Sequence, residues 1–219
     1  MAAFVEVYKM EIDCLILGAY ETNCYVLRSN ATAKDCVVVD PGPGGEQLLD
    51  FIKGHKLNPA AVVLTHGHID HIGGVAQLRD NYPDVRVYIH KLDAKMLENS
   101  YSNLSAMMGA AFSTEPADFS LEDGCVIEQA GVKLQVLHTP GHTPGGICLY
   151  SKDEGIVFTD DTLFAESIGR TDFPGGSLEQ LLKSVREKLF TLPDDTIVYP
   201  GHGPSTTIAQ EKAHNQFFQ

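Results

Sequence analysis

The sequence has few basic residues and no cysteine pair of the Cys-x-x-Cys kind. Lysine and arginine number 16 against 29 aspartate and glutamate, which gives a net charge of −13. Nucleic-acid binding depends on clustered lysine and arginine against phosphates, so this balance argues against a nucleic-acid partner. The five cysteines are scattered, which predicts buried free thiols in a reducing compartment: they are Cys14, Cys24, Cys36, Cys125 and Cys148.

Long apolar segments are also lacking. No apolar run reaches the roughly 20 residues that a membrane-spanning helix needs, and residues 1–10 do not place an apolar segment after a basic one. We therefore expect no signal peptide, no membrane partner and a cytoplasmic location. At 219 residues, with 43% hydrophobic and 21% charged residues, the chain is expected to form one α/β domain over 1–219.

Short apolar and alternating runs predict strands early in the chain, and strands alternating with helices later. Strands are predicted at 4–8, 12–17, 24–28, 36–40, 61–65, 85–89, 125–128, 132–137, 146–150, 155–159 and 196–199. Helices are predicted around Leu48–Ile52, at 72–79, 91–99 and 178–190, and close to the C-terminus. Ser177 and Gln180 form a capping box at the start of the fourth of these helices.

Three histidines and an aspartate lie within six residues, directly after the apolar run 61–64: His66, His68, Asp70 and His71. Far downstream, His142 and His202 each follow a strand-like run and lie among glycine and proline. Imidazole and carboxylate are ligands that zinc, iron and manganese share. Because a protein core does not need so many polar rings on one turn, the pattern predicts a metal site large enough for two ions.

The spacing divides these residues into two sets. His66 and His68 lie two residues apart on a turn, so both rings can face one point together with His142. Asp70 and His71 can face a second point together with His202. A carboxylate shared by both sets is expected from Asp160 or Asp161. Two metals about 3.5–4 Å apart can hold a bridging hydroxide and polarise a carbonyl, which is hydrolysis without a nucleophilic side chain.

The segment His66-Gly-His-Ile-Asp-His71 resembles the H-x-H-x-D-H signature of the metallo-β-lactamase superfamily, and the segments around His142, Asp161 and His202 follow in that superfamily's order. The resemblance implies a four-layer αββα sandwich, with the metals at one edge between the two sheets. It also implies catalytic roles for Asp70 and Asp161, with Asp161 as the bridge. The residues implied to hold two divalent metals are His66, His68, Asp70, His71, His142, Asp161 and His202.

The bridging aspartate of that superfamily normally follows a glycine, whereas here it follows Asp160. Adjacent residues on an extended segment point to opposite sides, so only one of the two carboxylates is expected to face the metals. We therefore predict that Asp161→Asn loses metal and activity and that Asp160→Gly keeps both.

Within the superfamily, the stretch Ile168–Ser177 is similar to short glyoxalase II-like hydrolases. That resemblance implies cleavage of a small-molecule thioester such as S-lactoylglutathione. Zinc is the first expectation for the metal, with iron or manganese as alternatives. The chain ends soon after His202, so we expect no helical domain of the kind that holds glutathione in glyoxalase II, and weak binding of the thiol half. Alternatives are a persulfide dioxygenase-like enzyme with one iron, a lactonase or β-lactamase, and a di-iron redox module.

Several other residues have two readings each. Asp40 is either an acceptor for the N–H of a metal-binding imidazole or a turn aspartate before Pro41. Arg170 either pairs with Asp172 or binds an anionic substrate. The segment with Met107, Met108 and Phe112 either packs or lines a substrate wall, and packing is preferred. The remaining histidines are expected to be structural or to lie on the surface: His55, His90, His138 and His214. Three polar residues near the N-terminus are candidates to face the site: Tyr20, Asn23 and Tyr25.

Overall fold

The first half of the chain forms a six-stranded mixed sheet. The computed structural model describes residues 9–219, so the strand predicted at 4–8 lies outside the described residues. The first three strands are antiparallel neighbours and the last four run parallel, in the spatial order β1-β2-β3-β4-β5-β6. The strands are β1 (Glu11–Leu17), β2 (Thr22–Arg28), β3 (Asp35–Val39), β4 (Asn58–Leu64), β5 (Arg86–His90) and β6 (Phe119–Leu121).

The second half forms another six-stranded sheet and a short hairpin. The strands are β7 (Val126–Gln129), β8 (Val132–His138), β9 (Ile147–Ser151), β10 (Ile156–Asp160), β11 (Leu163–Phe164), β12 (Ser167–Ile168), β13 (Ile197–Pro200) and β14 (Thr206–Thr207). The sheet order is β14-β13-β10-β9-β8-β7, and β11 pairs with β12. Strands β10 and β13 are parallel, whereas β8, β9 and β10 alternate in direction.

Helices cover the outer faces of both sheets. They are α1 (Gly45–His55), α2 (Ile69–Ile72), α3 (Val75–Asn81), α4 (Leu178–Ser184) and α5 (Ile208–His214). The Oγ of Ser177 accepts a hydrogen bond from the main-chain N–H of Gln180 at the start of α4, which confirms the predicted N-terminal cap. Helix α4 continues as a π-helical turn over Val185–Leu189, so the helical region reaches almost to its predicted end.

Three apolar clusters define the layers. Val37 and Val63 of the first sheet pack with Leu134 and Phe158 of the second in a core between the sheets. A second cluster joins the outer face of the first sheet to α1 and α3, and a third joins the outer face of the second sheet to α4 and α5. The four-layer αββα sandwich implied by the motifs is therefore confirmed.

Two local predictions are wrong. The helix predicted at 91–99 is a single 3₁₀ segment, Ala94–Glu98, because the Asn99 side chain accepts the main-chain N–H groups of Tyr101 and Ser102 and ends the helical turn.

All five cysteines are free, but only three are buried. Cys14 and Cys125 are exposed, since Cys14 lies on edge strand β1 and Cys125 in the turn before edge strand β7. Among residues 9–219, no helix has the length and apolar composition to cross a membrane.

Candidate metal centre

The predicted ligands meet at one edge of the sandwich. Strands β8, β10 and β13 of the second sheet point the same way and end at this edge, where His142, Asp161 and His202 follow them. The turn after β4 of the first sheet brings His66 and His68 to the same edge. Asp70 and His71 lie in α2, directly after that turn. The common edge gathers residues that are far apart in the sequence.

The first set of nitrogens converges on one point. His66 Nε2 lies 3.0 Å from His68 Nδ1, which lies 2.9 Å from His142 Nε2. All three residues are buried. Ring nitrogens this close together, facing a common point, are suited to one ion at the Zn–N distance of about 2.0–2.1 Å.

The second set adds a carboxylate to two imidazoles. Asp70 Oδ2 lies 3.4 Å from His71 Nε2 and 3.4 Å from His202 Nε2. Asp161 lies between the two sets. Its Oδ1 is 3.6 Å from His71 Nε2 and 3.5 Å from His202 Nε2, whereas its Oδ2 is 3.5 Å from His142 Nε2. One carboxylate therefore presents an oxygen to each half of the cluster.

Hydrogen bonds on the far sides of the rings orient four of the five imidazoles. His142 Nδ1 donates to the Arg170 carbonyl at 2.7 Å, and His202 Nδ1 donates to the Tyr20 carbonyl at 2.9 Å. His66 Nδ1 lies 2.6 Å from Asp160 Oδ2. His71 Nδ1 hydrogen-bonds to Asp40 Oδ2 at 3.4 Å, and Asp160 Oδ1 lies 2.9 Å away on the same side of that ring. An occupied Nδ1 fixes the tautomer and leaves Nε2 free to bind a metal.

The cluster is suited to hold cations. His71 Nε2 and Asp161 Oδ1 are buried and have no hydrogen-bond partner among the described residues. Burial alone would lower the pKa of His71, but the surrounding carboxylates, Asp160 first, raise it well above its usual value. Burial would likewise raise the pKa of Asp70, yet the charge on His71 holds it well below its usual range. Buried carboxylates need a nearby positive charge, and the buried ligand atoms here lack hydrogen-bond partners. Both features are consistent with a site for divalent metals.

Asp160 differs from its predicted role. Its backbone is left-handed, with φ of 47°, so the alternation expected of an extended segment does not apply. Glycine adopts this conformation without strain, which explains why a glycine can serve at this position. The Asp160 carboxylate reaches the Nδ1 sides of His66 and His71, while Asp161 faces their Nε2 sides. These contacts argue against the prediction that Asp160 is dispensable.

Gly201 allows the last ligand loop to approach the centre. A Cβ at Gly201 would lie 2.6 Å from oxygens of both Asp160 and Asp161. The same loop is held by N-terminal residues, since Asn23 Nδ2 donates to the carbonyls of Pro200 and Gly203, and Tyr25 Oη donates to that of Pro200. Asn23 and Tyr25 thus position His202.

The contacts of Asp40 and Arg170 decide between the two roles considered for each residue. Asp40 accepts hydrogen bonds from the N–H and hydroxyl of Thr65 at 2.9 and 2.6 Å, and its Oδ2 also lies 3.4 Å from His71 Nδ1. It therefore holds the start of the histidine turn as well as contacting a ligand ring. Arg170 makes two 2.8 Å hydrogen bonds to Asp172 and stacks on Phe173, so it shapes the loop.

A cavity of about 480 Å³ opens onto the ligand cluster. Met108 is part of its wall, so the preference for simple packing was wrong for this residue. Met107 is 70% exposed and is not among the residues that line the cavity. Phe112 packs against the first core. The 3₁₀ segment Ser105–Met108 lies between two left-handed residues, Leu104 and Gly109, and it brings Met108 to the cavity wall.

Sequence reasoning missed Asp93, a fully buried carboxylate that links the two halves of the molecule. It accepts hydrogen bonds from Thr143 Oγ1 at 2.6 Å and from the Gly145 N–H at 2.7 Å, directly after His142. Burial raises the pKa of Asp93, and the Thr143 bond opposes that shift. A lone aspartate after a strand has no spacing that would reveal this contact.

We expect Thr143→Val to lower the free energy of unfolding by about 1.5–3 kcal/mol, because it removes a hydrogen bond to a buried carboxylate. Urea unfolding of the metal-replete protein measures the change. Thr191→Val is the matched control, since Thr191 donates to the Lys188 carbonyl at the surface and should cost no more than about 0.5 kcal/mol. Equal losses in both variants would contradict the role given to Asp93.

The histidines outside the centre are structural or superficial, as predicted. His55 and His214 are exposed, whereas His90 is buried and stacks on His138 at 4.2 Å between ring centroids. Burial first, and then the neighbouring His138, lower the pKa of His90 from 6.5 to about 4.

This shift predicts acid sensitivity. Between pH 6.5 and 4, position 90 of the unfolded chain binds a proton that folded His90 does not bind, so stability falls as pH falls through this window. His90→Phe should therefore show a smaller fall in Tm from pH 6.5 to 4 than the parent protein. His55→Phe, at an exposed ring, should leave the fall unchanged. A parent-like fall in His90→Phe would refute the assignment.

Comparisons with known proteins agree with this geometry. The family model described as Metallo-beta-lactamase superfamily matches residues 17–202. Two curated relatives are the probable metallo-hydrolase YqgX of Bacillus subtilis, 39% identical over 92% of this chain and 94% of that protein, and the hydroxyacylglutathione hydrolase GloC of Haemophilus influenzae, 36% identical over 95% and 98%.

Solved structures agree as well. The crystal structure of BLEG-1 B3 metallo-beta-lactamase is similar with a TM-score of 0.90 and 40% identity, over 95% of this chain and 100% of that one. The structure of TTHA1623 in a di-iron-bound form gives 0.83 and 38%, over 94% and 99%. With the fold and the order of its motifs, these matches show that the chain belongs to the metallo-beta-lactamase superfamily.

Proposed function

We propose that this chain is a metal-dependent hydrolase that cleaves a thioester such as S-lactoylglutathione. The observation that carries the proposal is the position of Asp161, whose two oxygens face two separate sets of ligand atoms. Similarity to GloC over nearly the whole of both chains supports the thioester class. Zinc is the proposed metal, and the di-iron form of TTHA1623 keeps iron as an alternative.

His66, His68 and His142 would hold one ion, and Asp70, His71 and His202 the other. Two divalent ions bound there would polarise the substrate carbonyl and bring the pKa of water to about 7. The protein's part is to hold the ligands in place. Asp161 joins the two sets and Asp70 stays ionised beside His71. Among the described residues, no cysteine lines the cavity, so replacing any one cysteine should leave turnover nearly intact.

The test combines metal analysis with a thioester assay on one sample. We expect two metals per chain, and cleavage of S-lactoylglutathione that rises through neutral pH, is lost with a chelator and returns with zinc. KM should be high and simpler acyl thioesters only slightly worse substrates. One metal per chain, with oxygen consumption on glutathione persulfide and no thioester cleavage, would move the assignment to the dioxygenase branch. Hydrolysis confined to lactones or β-lactams would also refute it.

A further inference from the structure

A second cavity adjoins the one over the ligand cluster. It measures about 270 Å³ and shares Tyr20 and Met108 with the larger cavity. Its other lining residues include Pro43, Ile69, Ala110 and Phe112. Ile69 directly precedes Asp70, so this side cavity lies next to the Asp70, His71 and His202 set.

The side cavity is suited to an apolar group. Its lining residues carry no charged side chain, and the only hydroxyls are those of Tyr20 and Ser105. The Ser105 Oγ is already engaged, since it accepts the Phe112 N–H at 2.9 Å. A methylene group moved from water into such a space gains about 0.8 kcal/mol, and a methionine at the entrance can adjust to different shapes.

The main cavity offers little to an anionic ligand arm. Among its lining residues, Arg170 is the one arginine or lysine, and Asp172 already neutralises it through two hydrogen bonds. A thiol half with several carboxylates, such as glutathione, therefore meets no unpaired arginine or lysine among these lining residues. Apart from the scissile carbonyl, which the proposed metals would bind, the substrate must therefore be held largely by apolar contact.

We propose that the substrate has an apolar arm next to its scissile bond, and that this arm enters the side cavity past Tyr20 and Met108. The inference rests on the proposed function and narrows its substrate class. An acyl chain or the thiol substituent could supply this arm. The shared chemistry is an unbranched apolar chain.

The experiment uses two series of thioesters with metal-replete protein. One varies the acyl group from acetyl to octanoyl on N-acetylcysteamine, and the other varies the alkyl thiol from ethyl to octyl in acetyl thioesters. We expect KM in one series to fall about fourfold per methylene until the cavity is full. The series that responds identifies which half carries the arm.

The neighbouring alanines provide a matched pair of variants. Ala110 lines the side cavity, whereas Ala111 does not, and both are exposed. We expect Ala110→Phe to abolish the chain-length dependence, and Ala111→Phe to show the same chain-length dependence as the parent. Calorimetric titration with straight-chain carboxylates, acetate to octanoate, should show the same pattern without any reaction.

The outcomes separate the two proposals. Thioester turnover without chain-length dependence in either series, or with the same dependence in Ala110→Phe, would overturn the apolar arm but not the hydrolase. Chain-length-dependent carboxylate binding that Ala110→Phe removes, with no thioester turnover, would support the apolar side cavity and reject thioester hydrolysis.

Discussion

Asp161→Asn should lose bound metal and catalytic activity together. The loss should exceed the roughly 10- to 100-fold fall in metal affinity or activity that follows when a residue hydrogen-bonded to a metal ligand is replaced. The Asp161 oxygens face His71 and His202 on one side and His142 on the other. An amide keeps one acceptor oxygen and lacks the charge, so it cannot serve both sets. Metal content after dialysis and turnover with excess zinc are the two measurements.

Asp172→Asn is the control, since it makes the same chemical change at an exposed carboxylate that pairs with Arg170. It should keep both metals. Full metal content and turnover in Asp161→Asn would mean that the carboxylate does not bridge, and the ligand set taken from the superfamily would be wrong at that position.

The second large effect is expected at Asp160, where both Asp160→Asn and Asp160→Gly should weaken metal binding by about 10- to 100-fold. Burial would raise the pKa of this carboxyl, but His71 and His66 hold it well below its usual range, so it is an anion that hydrogen-bonds to His66 and lies 2.9 Å from His71. Asparagine has no charge and only one acceptor oxygen, so one of the two rings would face an N–H₂ group instead of a carboxylate oxygen. Glycine removes the acceptors but readily adopts the left-handed backbone.

Competition with a chromogenic chelator measures the metal affinity of both variants. The pair separates the carboxylate from the backbone, because only Asp160→Gly relieves a positive φ. Parent-like affinity in Asp160→Gly, with a loss in Asp160→Asn alone, would show that the damage comes from a misplaced amide. The sequence-based expectation that Asp160 is dispensable would then be restored.

Local signals in the sequence were sufficient for most of the framework. Alternation and apolar runs located the ends of the longer strands within one to three residues, because the burial of a strand determines which of its consecutive side chains are apolar. The short strands β6, β11, β12 and β14 were missed, since two or three residues are too few to show an alternation of apolar and polar side chains. The segment 91–99 was assigned as helix because its residues favour one, whereas the Asn99 side-chain oxygen accepts the Tyr101 N–H and ends the turn.

Local sequence was enough to predict the candidate ligand types, their order and their division into two sets, because metal chemistry restricts which side chains can serve and three of the histidines share one turn. The contacts behind those candidate ligands depend on how the two sheets pack against each other. Asp160 reaches two rings because its backbone is left-handed, and Asp93 meets Thr143 because two loops from different sheets end at the same edge. Contacts between segments 50 or more residues apart depend on how the sheets pack, and no local pattern encodes that packing.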